Sequence, residues 1–305
     1  MALVPAGFIP VPPGRSPGFD HGDVYRSGAG APLLYVAHTG ADRVDVIDCS
    51  ANTFLRSLPG HPGVAGILVD SGAGLLFTSD RSAAQVSIYN CPDETLVHRI
   101  GVGDRPNGLA YDPGRRRLFS FNLGEPIGEN CTASVVDLDE GSVAATIALP
   151  GRPRWAAFDP DCDRVFANIA DPAQIVVIDP ARSRIDRVIE VPAAGPHGLW
   201  VHDGLLFCAA DGRVLAVVRS DNGAVVAEVP LPGVPDVVML DPGTGNLYVA
   251  VGDPGVVCVI DSARRALAET VTTGPGAHTI AVEPGSHTVY AFQPVAMGAG
   301  VYVER

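Results

Sequence analysis

The sequence predicts an all-β protein made of seven consecutive units, each with four antiparallel strands. Three observations support this prediction: many turn-forming residues, no helical spacing of apolar residues, and an aromatic strand that recurs at a nearly constant interval. The turns are supplied by 35 Gly and 27 Pro. No segment carries the apolar spacing of three and four residues that marks an amphipathic helix. Short strands joined by tight turns are the structure that these features favour.

The aromatic residue of each unit defines the repeat. Seven segments of the type LLYVAH contain it, at Tyr35, Phe77, Phe119, Phe166, Phe207, Tyr248 and Tyr290. The successive intervals are 42, 42, 47, 41, 41 and 42 residues, and the longest interval contains an insertion, NLGEPIGEN. Four-stranded repeats of this length are typical of β-propeller blades, whose neighbouring sheets bury each other's faces. We therefore expect one seven-bladed β-propeller domain over residues 1–305.

Each unit contains four strands, which we name A to D from the centre outward. Strand A is of the type PNGLAYDP, strand B is the aromatic segment, strand C is of the type VDVID (44–48), and strand D is a further apolar strand. The last unit ends at VYVER (301–305), after its third strand. Because an unpaired outer edge exposes backbone groups, we expect FIPVP (8–12) to supply the missing strand and close the ring.

The pattern RPNGLAYDP followed by RLFSFN, with VAHTGADRVDVID in the first blade, resembles the bacterial YVTN or YncE-like propeller family. The likeness covers essentially the whole chain and implies the seven-bladed fold. It implies no particular activity, because that family includes binding proteins and surface proteins, while other propellers are enzymes. No catalytic motif of the family carries over to residues of this chain.

Charge and the N-terminal segment limit the expected partners and compartment. The formal net charge is −13, and all 21 basic residues are Arg without a basic cluster in the sequence, which argues against a nucleic-acid partner. The segment MALVPAGFIPVPPG has neither a basic n-region nor a long apolar core. We expect no membrane association and a cytoplasmic location, although most exported relatives in the resembled family carry leaders. The six Cys have no CxxC spacing and are expected to be buried thiols.

The aromatic residue also locates the start of strand A in each blade, where propellers usually bind ligands. Counting back twelve residues, with blades 1 and 5 aligned on their turn motifs, gives one residue per blade. This mouth ring is His21, Ala65, Asn107, Arg154, His197, Asp236 and His278. A second ring, three residues after each aromatic, is His38, Asp80, Asn122, Ile169, Ala210, Val251 and Gln293.

Four members of the mouth ring form a candidate metal site. His197, Asp236, His278 and His21 occupy blades 5, 6, 7 and 1, which are consecutive around a closed ring. Three imidazoles and a carboxylate are a normal ligand set for a divalent transition metal such as Zn, Fe, Mn or Ni. The structural alternative is that these side chains cap strands or bond to the backbone of neighbouring blades.

The opposite arc is a candidate substrate site. Arg154 and Asn107 lie there beside small Ala65, and a guanidinium group is suited to hold a carboxylate or phosphate. Trp155 adjoins this arc, although packing of the inner strand is the alternative role for its ring.

Two further histidines are candidate acids or bases, because an unperturbed imidazole titrates near neutral pH. His38 lies in the second ring, and His61 lies in the PGHPG loop that enters blade 2. VAHTG is equally an ordinary version of the repeat, and His61 is equally a solvent-exposed loop residue. The insertion in blade 3, with Glu125 and Glu129, leaves from the mouth side and could act as a lid.

Two functions remain compatible with these residues. One is a metal-dependent lyase, hydrolase or isomerase that acts on a small anionic molecule in the central channel. The alternative is a non-catalytic YVTN-type propeller that binds a protein or ligand on its face. The chain contains no GxSxG elbow and no phosphate-binding glycine loop.

Overall fold

A computed structural model of the chain describes residues 2–28 and 30–305. Within these residues the chain forms 28 β-strands, β1 to β28, and two single-turn 3-10 helices, Thr39–Ala41 and Arg81–Ala83. The strands make seven antiparallel sheets of four strands each. The predicted seven-bladed β-propeller is confirmed. Neither of the helices that these residues form has the length or apolar character needed to cross a membrane.

In six of the blades the four strands follow one another along the chain, from the channel outward. Blades 1 to 3 contain β2 (Gly22–Tyr25), β3 (Leu33–His38), β4 (Arg43–Asp48) and β5 (Thr53–Pro59); β6 (Val64–Asp70), β7 (Leu75–Asp80), β8 (Gln85–Asn90) and β9 (Thr95–Gly101); and β10 (Pro106–Asp112), β11 (Arg117–Asn122), β12 (Thr132–Asp137) and β13 (Ser142–Ala148). Blades 4 to 6 contain β14 (Pro153–Asp159), β15 (Arg164–Ile169), β16 (Gln174–Asp179) and β17 (Arg184–Glu190); β18 (Pro196–His202), β19 (Leu205–Ala210), β20 (Val214–Arg219) and β21 (Val225–Pro230); and β22 (Pro235–Asp241), β23 (Asn246–Val251), β24 (Val256–Asp261) and β25 (Ala266–Thr272).

Blade 7 closes the ring with a strand from the N-terminus, as predicted. It contains β26 (Thr279–Glu283), β27 (Thr288–Gln293), β28 (Gly298–Glu304) and β1 (Leu3–Pro10). β1 pairs antiparallel with β28, so that Leu3 lies opposite Glu304 and Ile9 opposite Ala299. The strand begins earlier than the predicted segment 8–12 and ends at Pro10. Pro12 has no backbone N–H with which to continue the ladder.

The recurring aromatic residue is the third residue of the second strand in every blade. All seven of these rings are buried, with at most 1% of each residue exposed. They contribute to seven apolar clusters, one between each pair of neighbouring blades. Between blades 3 and 4, for example, Phe119 lies in one cluster with Val176 and Ile178. Burial of these clusters is what stabilises the ring.

Glycines bring the inner strands close together at the start of the channel. A Cβ on Gly108 would lie 2.3 Å from the carbonyl oxygen of Arg154 in the next blade. A Cβ on Gly198 would lie 2.0 Å from the carbonyl oxygen of Asp236. Only glycine permits backbones to approach so closely. The mouth-ring residues of neighbouring blades are therefore held near one another.

The cysteines only partly follow the sequence prediction. All six are free, and Cys49, Cys131, Cys208 and Cys258 are buried as expected. Cys91 is half-buried, and Cys162 is exposed because it lies in the turn between β14 and β15 rather than in a strand.

A cationic cavity at the channel mouth

A cavity of about 300 Å³ opens at the end of the channel where the inner strands begin. Six residues that line it were predicted as site residues, namely His21, Asn107, Arg154, Trp155, His197 and Asp236. Another six were not predicted, namely Asp20, Arg81, Arg105, Leu123, Ile127 and Arg152. The wall therefore carries four guanidinium groups and two carboxylates, in a chain whose net charge is −13.

Two of the four arginines are largely neutralised by their neighbours. Arg81 Nη2 lies 3.0 Å from Asp20 Oδ2 and also donates to the side-chain oxygen of Asn107. Arg105 donates to Glu125 in the blade 3 insertion. Ile127 of the same insertion reaches the cavity. The insertion therefore lies on the mouth side, as predicted, and gives the cavity part of its apolar wall.

Arg152 and Arg154 are less well compensated. Arg154 Nη2 lies 3.7 Å from Asp211 Oδ2, compared with 3.0 Å between Arg81 and Asp20. Among the described residues, the Nε atoms of Arg152 and Arg154 are enclosed and lack an acceptor. Burial, followed by the nearby charge of Arg152, lowers the pKa of Arg154, although Asp211 and Asp236 oppose this shift. The two cations repel each other in a partly desolvated wall, and a bound anion would relieve that repulsion.

His197 has a defined orientation in this wall. Its Nδ1 lies 3.0 Å from Asp211 Oδ1, and its Nε2 lies 3.2 Å from Arg154 Nη1. Because a guanidinium can only donate, the bonds fit an imidazole with Nδ1–H donating to Asp211 and Nε2 accepting from Arg154. The bond from His197, together with the nearby arginines, outweighs the effect of burial and lowers the pKa of Asp211. Asp236 Oδ1 is also 3.1 Å from Nε2.

His21 lies across the channel from blade 4 and stacks on Trp155, with 3.9 Å between the ring centroids. Its Nε2 is 3.3 Å from Asp20 Oδ1. Burial lowers the pKa of His21 despite the nearby Asp20 and Asp236 carboxylates. Burial also opposes ionisation of Asp20, but Arg81, His21 and His278 outweigh it and lower the pKa of that carboxyl.

The predicted metal ligands are only partly brought together. His197 and Asp236 are in contact, and His21 lines the same cavity. His278 instead donates from Nε2 to the Phe19 carbonyl oxygen, at 3.1 Å. In residues 2–28 and 30–305, no three His, Cys, Asp or Glu side chains are close enough together to hold a metal ion. The metal centre stays a prediction, and it requires His278 to leave its backbone partner.

The two candidate acid–base histidines lie between strands rather than in the cavity wall. His38 is fully buried, with Nδ1 2.7 Å from Asp45 Oδ2. His61 is also fully buried rather than solvent-exposed, with Nδ1 3.0 Å from Asp80 and Nε2 3.0 Å from the Tyr89 hydroxyl. These contacts are those of polar groups that connect the strands of a blade.

Four of the six missed lining residues, together with Asp211, lie at fixed offsets from the predicted rings. Arg105 and Arg152 each come two residues before the mouth-ring residue of their blade. Arg81, Leu123 and Asp211 each come one residue after a member of the second ring. These last three residues directly follow the end of the second strand of their blades. A count of four residues after the aromatic, instead of three, would have located these three.

Comparisons with known proteins support the fold and do not identify a family. No family model matches the chain, and no curated protein matches it. A chain of Kuenenia stuttgartiensis hydrazine synthase superposes with a TM-score of 0.81 at 17% identity, covering 95% of this chain and 96% of that one. A chain of a mitotic checkpoint complex gives 0.80 at 12% identity, covering 99% and 91%. At these identities the likeness shows the propeller fold alone, and membership of the YVTN family stays a prediction.

Proposed function

We propose that the protein binds a small organic anion, a carboxylate or a phosphate, in the mouth cavity. The observation that carries this proposal is the cationic wall of the cavity, in which Arg152 and Arg154 lie two residues apart and the charge of Arg152 adds to the burial that lowers the pKa of Arg154. Guanidinium groups are suited to bidentate recognition of carboxylate and phosphate oxygens. An anion between them would receive charge-assisted hydrogen bonds in a partly desolvated site.

The size and remaining lining of the cavity support a metabolite rather than a macromolecule. A volume of about 300 Å³ is at the lower end of the range for small-molecule pockets. Trp155 and Ile127 offer apolar contact to the carbon skeleton of the anion. Asn107, whose side-chain oxygen accepts from Arg81, keeps its amide nitrogen for an oxygen of the ligand.

His197 gives the site the means to move a proton if the anion is a substrate. Asp211 orients the ring through Nδ1, and Nε2, which accepts from Arg154, would be free to take a proton once the anion occupies that guanidinium group. A carboxylate–imidazole pair in this arrangement is the usual geometry of a general base. The proposal therefore suits both a ligand-binding propeller and an enzyme that acts on the bound anion.

Isothermal titration calorimetry with the wild-type protein tests the proposal. The titrants are succinate, citrate and inorganic phosphate, with the uncharged diamide succinamide as the matched control. We expect saturable binding of at least one anion with one site per chain, weaker binding at higher salt, and no binding of succinamide. Absence of saturable heat with all three anions, confirmed by unchanged melting temperatures, would contradict the proposal.

A metal-dependent lyase, hydrolase or isomerase is the second candidate function. The contact of His197 with both Asp236 and Asp211 favours it, because metal-bound histidines commonly donate their other nitrogen to a carboxylate. Zn, Fe, Mn or Ni would act there as a Lewis acid on the anion. Metal analysis of protein purified without a His tag tests this candidate. About one equivalent, lost on combined His197→Ala and His278→Ala substitution, supports it, and no stoichiometric metal overturns it.

A further inference from the structure

We propose that the opposite end of the channel is a second binding site, which takes an uncharged, predominantly apolar small molecule. A cavity of about 540 Å³ opens there, on the face formed by the turns that follow the inner strands. Its volume lies well within the range of pockets for small molecules. This site does not depend on anion binding at the mouth.

The wall of this cavity is predominantly apolar. Inner strands of neighbouring blades contribute Leu68, Leu109, Leu199 and Met239, and both tryptophans of the chain, Trp155 and Trp200, are part of the lining. Apolar walls with a few polar groups are the usual composition of ligand pockets. Transfer of an apolar ligand from water into such a site is favourable because it removes apolar surface from water.

The stacked pair of His21 and Trp155 lies between the two cavities. Both residues line the cationic cavity and the apolar one, and their rings are 3.9 Å apart. Because they come from blades 1 and 4, the stack spans the channel. The pair therefore divides the channel into two compartments of opposite chemical character.

The charges in the apolar cavity exclude an anion. Its titratable carboxylates are Asp23 and Asp70, and no arginine is among its lining residues. Both carboxylates already accept backbone N–H bonds: Asp23 from Val24 and Val69, at 2.8 Å each, and Asp70 from the turn that follows it. Burial also raises the pKa of Asp23 to about 6. A predominantly apolar, uncharged ligand is therefore the best match to the lining.

The uncharged fluorescent ketone 6-propionyl-2-dimethylaminonaphthalene is the probe for this site. Because Trp155 and Trp200 both line the cavity, we expect saturable quenching of tryptophan emission by energy transfer and a blue shift of the probe's emission, with one site per chain.

Cavity variants locate the probe. Ala157→Phe fills the cavity and Leu68→Gln makes its wall polar, and each should weaken binding at least about ten-fold. Ala268→Phe, on an exposed outer strand, is the matched control and should change affinity less than about two-fold. Melting temperatures identify any variant that does not fold, and the remaining variant then decides.

The outcomes separate this site from the mouth cavity. Succinate should not displace the probe, and Arg154→Gln should leave probe affinity unchanged. Absence of saturable binding, equal affinity in the cavity variants and the control, or displacement by succinate would each overturn the second site. None of these results affects the calorimetric test of anion binding, which has its own readout.

Discussion

Replacement of Arg154 by Gln is the sharpest perturbation of the proposed anion site. The Arg154 side chain is 17% exposed, its Nη1 contacts His197 at 3.2 Å, and its Nε has no acceptor among the described residues. Gln keeps much of the side-chain length and one amide donor but removes the charge. The substitution therefore isolates the electrostatic contribution of the guanidinium group.

The expected loss follows from one charge-assisted interaction with the ligand. A hydrogen bond to a charged group contributes about 1.5–3 kcal/mol, which corresponds to a rise in Kd of about 10- to 150-fold. Calorimetry with the tightest-binding anion of the succinate, citrate and phosphate series measures this change. Arg264→Gln is the matched control, because that side chain lies on the turn before β25, is 84% exposed and pairs with Asp261 at the end of β24. We expect it to change Kd less than about two-fold.

Equal anion affinities of these two variants would refute the assignment of the anion to this cavity. A loss of binding in both variants, with unchanged melting temperatures, would indicate a general effect of net charge instead. Because each variant removes one positive charge, the net charge of the chain is the same in both.

Three further predictions concern the fold and its titration. Ile9→Ala in the closing strand should lower the free energy of unfolding in urea by about 2–4 kcal/mol, because Ile9 is only 1% exposed. Phe8→Ala, on the exposed face of the same strand, should lower it by much less. Similar losses in the two variants would count against closure of the ring by β1. Burial raises the pKa of Asp23 to about 6. The protonated carboxyl group therefore contributes at most about 3 kcal/mol to stability, and this contribution is fully present below pH 4 and lost as the pH rises through 6. Asp23→Asn should remove this pH dependence from the free energy of unfolding measured in urea, and an unchanged dependence would contradict the prediction. His61→Ala should destabilise the protein by about 2–4 kcal/mol, because the buried hydrogen bonds of His61 are lost. The affinity for the anion should stay nearly unchanged. Loss of anion binding without loss of stability would instead indicate that His61 has a role in the site.

The sequence was sufficient for the architecture because the blade repeats. The buried aromatic of strand B occupies the same place in every sheet, so its spacing gives the number of blades and the start of each inner strand. The closing strand was predictable for a similar reason, since an incomplete blade has an unpaired edge. The boundaries of the closing strand were harder to predict, because Leu3 to Ala6 carry no pattern that distinguishes a strand from a loop.

The site was predictable only in part, because position in the repeat does not determine the direction of a side chain. The spacing placed His197 and Asp236 correctly at the mouth. It could not reveal that His278 turns to the Phe19 carbonyl, since that contact depends on the loop before blade 1. Arg152 was missed because the D-to-A loop was not included in the count. It lies two residues before Arg154, at the end of that loop.

A crystal structure of the wild-type protein with the tightest-binding anion tests the central claim most directly. We predict that the anion lies in the mouth cavity, with its oxygens within hydrogen-bond distance of Arg152 and Arg154. An anion bound elsewhere on the surface would contradict the proposal. So would a metal ion held by His21, His197, Asp236 and His278 with no anion beside the arginines.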